Sequence, residues 1–306
     1  MIQIYLSDET SRLESVVLGI GKDFGGTPLV SETYDPKSRE HILKGTFPVE
    51  QDIVHEMNCV ASILEKYEVK VYRPENIPDL NQIFARDIAF VINDYIFKSN
   101  ILPDRLGELD AIEYIFSQIQ PDKVITPPEE VHIEGGDVML YKDMIFVGTY
   151  YGADYADFIT ARTNPEGVEF LKSFFPNKTV KAFDLAKSNV NPEDNALHLD
   201  CCFQPVGKDL AIIHKEGFRN QADYDYLVEL FGMDHLFHIT KHEMYLMMSN
   251  VFSISPEVVI SEKGFTRLND WLRGHGMTVE EVPYSEIAKM EGLLRCSTLP
   301  LKRTHV

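Results

Sequence analysis

Cysteine is scarce in this chain: 306 residues contain four (Cys59, Cys201, Cys202 and Cys296), and no two of them stand in a Cys-x-x-Cys pair. So few thiols at such separations make neither a disulfide framework nor a known zinc spacing, so they are expected reduced. Long apolar runs are missing too. Nothing approaches the ~18 residues of a membrane span, and Met1-Ile2-Gln3-Ile4-Tyr5-Leu6-Ser7-Asp8 lacks the basic start and apolar middle of a secretory leader. A cytoplasmic location with no membrane partner is expected. Positive charge is the third deficit. Lysine and arginine number 29 against 48 aspartates and glutamates, a formal net charge of −19. Such a chain repels phosphate backbones, which excludes nucleic acid as the expected partner, and it attracts small cations. A homodimer is compatible with these features.

What is present is an ordinary globular composition, 44% hydrophobic and 25% charged, in a chain at the upper limit of what one hydrophobic core supports. The apolar pattern repeats. A strand is predicted at 14–19, a helix near 51–67 and a strand at 69–72. Three fuller units of strand, turn, strand, helix and strand follow, beginning at 88–92, 137–141 and 197–203, and a fourth begins at 250–254. Asn93-Asp94, Lys142-Asp143, Gly207-Lys208-Asp209 and Pro256 mark the turns, with Asn164 before Pro165 and Gly232 after Phe231 as helix-end signals.

The chain closes with a lone strand at 296–301, which only the lone N-terminal strand can complete. Corresponding positions recur every fifty residues or so: Asp87 to Glu134 is 47, Glu134 to His198 is 64, His198 to Asn250 is 52 and Asn250 to Cys296 is 46. That period is the mark of a radial repeat of α/β units, so one closed domain over residues 1–306 is expected rather than two.

Polar residues fall at the first strand of successive units: Asp87, Glu134 with Asp137, His198 with Asp200, and Cys296. First strands lie innermost in a radial array, so these side chains are expected to converge on one pocket. Taken singly each has an ordinary explanation: an ion pair, a solvated turn, a satisfied core histidine, a cysteine acting as a small hydrophobe. Their recurrence at matching points argues for chemistry. His198 and Asp200, two apart on a predicted strand, are expected to share a side.

A pocket rich in carboxylates destabilises anions and matches the planar donors of a guanidinium. A thiol beside such a cation ionises more readily, and a histidine can serve the leaving amine and the incoming nucleophile in turn. Cys296, between Arg295 and Ser297, is the candidate nucleophile.

The segments Phe84-Ala85-Arg86-Asp87, Ile133-Glu134-Gly135-Gly136-Asp137, Ala161-Arg162-Thr163-Asn164, Leu197-His198-Leu199-Asp200, Asn250-Val251 and Arg295-Cys296-Ser297-Thr298-Leu299-Pro300-Leu301 resemble, in order, the motifs of guanidine-modifying enzymes of the pentein fold. That family includes arginine deiminase, dimethylargininase and glycine amidinotransferase. The resemblance implies a five-fold pseudosymmetric α/β propeller of ββαβ units. It implies Cys296 as nucleophile through an amidino-thioether, His198 as general acid and base, and Glu134 as its orienting partner or a guanidinium ligand. Asp87 and Asp200 would clamp guanidinium nitrogens, with Asp137 beside them, and Arg162 would hold a substrate α-carboxylate.

Among members, Asp200 and Arg86 depart from the dimethylargininase pattern, and Glu134-Gly135-Gly136 departs from the glycine-type amidinotransferase pattern. The chain is also too short for the helical insertion of typical arginine deiminases. Hydrolysis of L-arginine or a close relative to citrulline and ammonia is the expected activity, with transfer of the amidino group to an amine as alternative and dimethylargininase ranked below both. No cofactor and no metal is expected. Gly19-Ile20-Gly21-Lys22 fits no nucleotide-binding spacing, and a ring-shaped binding module would have no use for this set of residues.

Overall fold

The computed structural model describes residues 1–304. Its strands form five three-stranded sheets, each built alike: the central strand pairs antiparallel with one neighbour and parallel with the other. Four sheets follow the chain. They are Ala89–Ile92 with Tyr95–Lys98 and Val124–Ile125, Val138–Tyr141 with Met144–Thr149 and Thr179–Asp184, Phe203–Val206 with Leu210–Ile213 and Leu236–His238, and Phe252–Ser255 with Val258–Glu262 and Thr278–Val282. The fifth joins the two ends of the chain. Leu13–Leu18 is central there, antiparallel to Thr298–Arg303 through pairs such as Val17 with Leu299, and parallel to Lys70–Tyr72. The closure expected from the two unpaired end strands is thus present.

Local chemistry accounts for the regular pieces. The helix Glu50–Lys66 buries Ile53, Met57, Val60 and Leu64, a stripe at the three-to-four spacing of an amphipathic helix. Pro165–Phe174 starts where Asn164 accepts a hydrogen bond from the Gly167 amide, and Gln221–Phe231 stops at Gly232, whose φ of 83° suits a residue without Cβ. Hairpin turns place Asn93 and Lys142 in the left-handed region at φ of 52° and 54°. The single helix expected in the unit that begins at 88–92 is instead two short segments, Gly107–Asp110 and Glu113–Phe116. Gly107 and Asp110, weak helix formers, bracket the first segment. The apolar face survives the break, with Ile112, Ile115, Phe116 and Ile119 all buried. No helix among the described residues is long and apolar enough to cross a membrane.

One expectation is corrected throughout. The polar residues do not interrupt the first strands but precede them, on short turns. Those strands begin at Ala89, Val138, Phe203, Phe252 and Thr298, later than the sequence pattern predicts. Each turn is closed by the same kind of backbone bond, three residues apart: Asp87 N to Phe84 O (3.3 Å), Asp137 N to Glu134 O (3.0 Å), Cys201 N to His198 O (3.1 Å), Asn250 N to Met247 O (3.0 Å) and Thr298 N to Arg295 O (3.0 Å). Consequently His198 and Asp200 do not share a strand face. Asp200 sits within a 3-10 turn, Leu199–Cys201, and both Cys201 and Cys202 are core residues. The five turns deliver their side chains to a common centre.

Candidate active site

A cavity of about 620 Å³ opens at the strand starts. Asp87, Arg105, Glu108, Arg162, Glu291 and Cys296 all belong to its lining, and a loop from Phe24 to Asp35 forms one wall. His198, Glu134 and Asp200 stand directly behind this lining, each 1% exposed or less.

Cys296 is held by its neighbours rather than exposed. Asn250 Oδ1 accepts from the backbone amides of Arg295 (2.9 Å) and Cys296 (3.1 Å), while Asn250 Nδ2 points at Sγ (3.2 Å). The Asp200 carboxylate oxygens lie 3.7 and 3.9 Å from the same sulfur. Burial, reinforced by the carboxylates of Asp200 and Asp87, pushes the Cys296 thiol well above its ordinary pKa. A thiol so placed is protonated at neutral pH; a cation brought beside it is what would release the proton.

His198 Nε2 meets Glu134 Oε2 at 2.7 Å, and its Nδ1 lies 3.7 Å from Asp87 Oδ1. Burial alone would lower the imidazole pKa, but the carboxylates of Asp87 and Glu134 outweigh it and raise it. Glu134 shows the converse. Burial would raise its carboxyl, yet the Arg162 guanidinium and His198 bring it down to about 2. Both shifts favour the charged pair, an imidazolium against a carboxylate, which holds a proton where a leaving group could take it.

Two arginines face the cavity. Arg162 Nη1 reaches the Glu134 carboxylate (3.3 and 3.4 Å), and its Nη2 donates to the Tyr34 carbonyl (2.7 Å). Arg105 donates to Asp87 Oδ2 (3.0 Å) and grips both oxygens of Glu108 (2.7 and 2.9 Å). The Tyr34 ring stands 5.8 Å from Arg105 and 5.6 Å from Arg162, so both guanidiniums are held near one aromatic face.

Asp87, Glu134 and His198 bring donor atoms within 4.8 Å of one another, a spacing that could also hold a metal ion. Arg105 and Arg162 already set guanidinium charge against those carboxylates, so the donor set fits an organic cation held by hydrogen bonds better than a metal ion.

The structure thus brings together Cys296, His198, Glu134, Asp87, Asp200 and Arg162. Asp137 is the exception. Like Glu134, His198 and Asp200 it lies behind the cavity lining, but its Oδ1 accepts the Leu199 amide (2.8 Å), which pins the turn after His198. Sequence reasoning missed Arg105, Glu108 and Glu291. Arg105 and Glu108 do carry one local signal, an acid and a base three apart able to pair on one turn. Nothing local connects them to Asp87 or to Glu291.

Gly136 explains why small residues stand between the two acids. A Cβ there would lie 2.7 Å from Cγ and Nδ1 of His198, inside any tolerable contact. Gly136→Ala is expected to fold yet lose roughly 100-fold in turnover, since a displacement near 1 Å at a reacting group costs about that much. Steady-state kinetics against a thermal melt checks this; unchanged turnover would show that the ring position does not matter.

Comparison with known proteins places the chain. A family model described as N,N-dimethylarginine dimethylhydrolase, eukaryotic, matches residues 44–303. The uncharacterised protein YkgA of Bacillus subtilis (strain 168) is 30% identical over 225 residues, which is 72% of this chain and 70% of YkgA. Among solved structures, the N-terminal domain of ArgZ, an arginine dihydrolase from cyanobacteria, superposes with a TM-score of 0.76 at 14% identity, covering 94% of this chain and 97% of that one. SxtG, an amidinotransferase from Microseira wollei, superposes with a TM-score of 0.73 at 17% identity, covering 99% and 98%. Five like sheets closed by the chain ends, a thiol set among carboxylates and these matches lead to one assignment: the chain belongs to the N,N-dimethylarginine dimethylhydrolase family, within the pentein superfamily of guanidine-modifying enzymes.

Proposed function

We propose that this protein hydrolyses the guanidinium group of L-arginine, giving citrulline and ammonia through a covalent amidino-thioether on Cys296. One observation carries the choice of an unmethylated guanidine. Asp87 and Asp200 each commit one oxygen to an arginine, at 3.0 Å to Arg105 and 2.9 Å to Arg295. The other oxygen of each, Asp87 Oδ1 and Asp200 Oδ1, accepts no N–H or O–H donor among the described residues; sulfur is the only neighbour hydrogen-bonded to Asp200 Oδ1. Two carboxylate oxygens without such a donor, Asp87 Oδ1 with His198 Nδ1 3.7 Å away and Asp200 Oδ1 lying 3.9 Å from Cys296 Sγ, suit a guanidinium with N–H groups at both terminal nitrogens. A dimethylated nitrogen has no N–H, so one buried carboxylate would go unmatched.

The residues then divide the work. Asp87 and Asp200 orient the guanidinium, and its charge beside Sγ lowers the thiol pKa, so the thiol releases its proton to solvent as the cation binds. Sγ bonds to the guanidinium carbon. The His198 imidazolium gives its proton to the departing nitrogen, which leaves as ammonia. Neutral His198 next takes a proton from water, whose oxygen attacks the amidino-thioether carbon; the C–S bond then breaks, the remaining hydroxyl proton passes to Sγ, and citrulline leaves with the thiol and imidazolium restored. Glu134 keeps the imidazole in place and charged. Arg105 and Arg162 suit the substrate carboxylate.

The test is to incubate the protein with L-arginine, with and without glycine, and with N,N-dimethylarginine, and to quantify citrulline, ornithine, ammonia and dimethylamine. Citrulline and ammonia should form without an acceptor, and dimethylarginine should be poorer by about 10–100-fold in kcat/KM, the cost of one lost charged hydrogen bond. Ornithine that appears only with glycine would make the protein an amidinotransferase, and a preference for dimethylarginine would overturn the substrate assignment.

A further inference from the structure

Glu9 is a buried acid that the reaction above does not use. It lies on the N-terminal segment, 5% exposed, where Asp8 folds the chain back by accepting from the amides of Thr10 (2.8 Å) and Ser11 (2.6 Å). The same segment ties a hairpin turn to the C-terminal strand: Leu6 and Asn93 exchange backbone hydrogen bonds, and Tyr5 accepts from the Arg303 amide (2.9 Å) and donates to the Leu301 carbonyl (2.9 Å). Glu9 therefore enters the molecule from the turn end, whereas the cavity opens at the strand starts.

Its carboxylate meets Arg295, the residue before the nucleophile. Glu9 accepts from Arg295 Nη2 (3.3 Å) and Nε (3.4 Å), and from the Leu140 amide (3.3 Å). The opposite corner of that guanidinium, Nη1, donates to Asp200 Oδ2 (2.9 Å) and to the Gly136 carbonyl (3.3 Å), and Nη2 also donates to the Val138 carbonyl (2.7 Å). All five N–H groups of Arg295 thus have partners, two on Glu9, one on Asp200 and two on the carbonyls of Gly136 and Val138. Arg86 and Arg303 add two further buried guanidiniums beside Glu9. Around Arg295 itself the balancing carboxylates are Glu9 and Asp200, while Arg303 also feels Asp8.

We infer that Glu9 is a positioning residue for the reaction: it occupies one edge of Arg295, so that Arg295 holds Asp200 against Cys296 by a single oxygen and leaves the other for substrate. Without the Glu9 charge, Arg295 would turn both its terminal nitrogens onto Asp200, the only carboxylate left within its reach in this cluster. The clamp on the guanidinium would weaken, and the excess positive charge behind Cys296 would favour the thiolate. The inference rests on the proposed reaction for the role of Asp200, and its test is chosen to separate the two.

Cys296 is faced by Asp200 from the turn after His198, by Asp87 from the turn before Ala89, by Asn250, and by the titratable groups of Cys201 and Tyr284. None of these side chains is substituted in Glu9→Gln; what changes is the pairing of Asp200 with Arg295, the charged residue next to Cys296 in the chain. That variant is expected to raise KM for L-arginine about tenfold, the loss of a charged hydrogen bond, with kcat held within about threefold. The pH midpoint for alkylation of Cys296 by iodoacetamide, followed by mass spectrometry, should move to lower pH. A melting temperature that falls with KM and the alkylation profile unchanged would reduce Glu9 to a structural residue and overturn the inference. Should Glu9→Gln not fold, Glu9→Asp keeps the charge and loses the reach. It should raise KM with the alkylation midpoint unmoved, and a wild-type KM there would overturn the inference equally. Alkylation needs no substrate. If wild-type protein turns over no guanidine, the proposed reaction fails, while the alkylation profiles still decide the coupling of Glu9 to Cys296.

Discussion

Cys296→Ala is expected to lower L-arginine turnover by at least about 10⁴-fold, the order seen when a covalent nucleophile is removed from an otherwise intact site. Among the described residues, Cys296 Sγ is the one thiol lining the cavity; Cys201 and Cys202 lie within the core. Structural damage should be small. Alanine removes one atom whose contacts are Asn250 Nδ2 and the Asp200 carboxylate, while both backbone amides remain bonded to Asn250 Oδ1. A void of that size costs on the order of 1 kcal/mol. Arginine binding should persist, because Asp87, Asp200, Arg105 and Arg162 are untouched. Turnover, calorimetric binding of arginine and the melting temperature should be measured together. Activity within tenfold of wild type would show that Cys296 forms no essential bond, and the covalent mechanism would have to be abandoned.

Glu134→Gln should have the largest combined effect on activity and stability. Glu134 is 1% exposed and faces three cationic groups: Arg162 at 3.3 Å, His198 at 2.7 Å and Arg105 at 3.7 Å. Glutamine is nearly isosteric but leaves those charges buried without their counter-ion, a change that costs about 3–5 kcal/mol. For a chain of this size that corresponds to a drop of about 10 °C in Tm. Turnover should fall by about 10³-fold, because the imidazole loses both its orienting partner and much of the field that keeps it protonated.

The sign of the pH effect follows from the shift. The Glu134 carboxyl sits at about 2 in the folded protein against 4.5 as the ordinary value. Its contribution to stability is therefore complete above about pH 4.5 and is lost as pH falls toward 2. Wild type should lose stability across that window more steeply than Glu134→Gln. Parallel acid profiles of the two proteins by circular dichroism would show that Glu134 is not the group responsible.

The repeat, its five units and the pairing of the chain ends were legible in the sequence because they rest on short-range physics. Alternating apolar residues make strands, a three-to-four stripe makes Glu50–Lys66, and a side-chain cap at Asn164 starts a helix. The candidate residues were legible for a related reason. Asp87, Glu134, His198 and Cys296 stand at matching points of successive units, where buried strands should be apolar.

Tertiary structure alone decided how those residues are used. An extended residue followed by a turn bonded three residues apart has the same hydrophobic pattern as a strand start, so the sequence could not show that Asp200 leaves the strand or that Asp137 turns to the Leu199 amide. Arg105 and Glu108 reach the cavity from the 3-10 turn Pro103–Arg105 and the short helix Gly107–Asp110, Glu291 from the end of the turn Ile287–Met290, and Glu9 meets Arg295 across 286 residues of chain. Local propensity has no range at that separation. Which carboxylate faces a substrate and which is consumed by an arginine is set by electrostatics between segments that meet only when the ends of the chain close the fold.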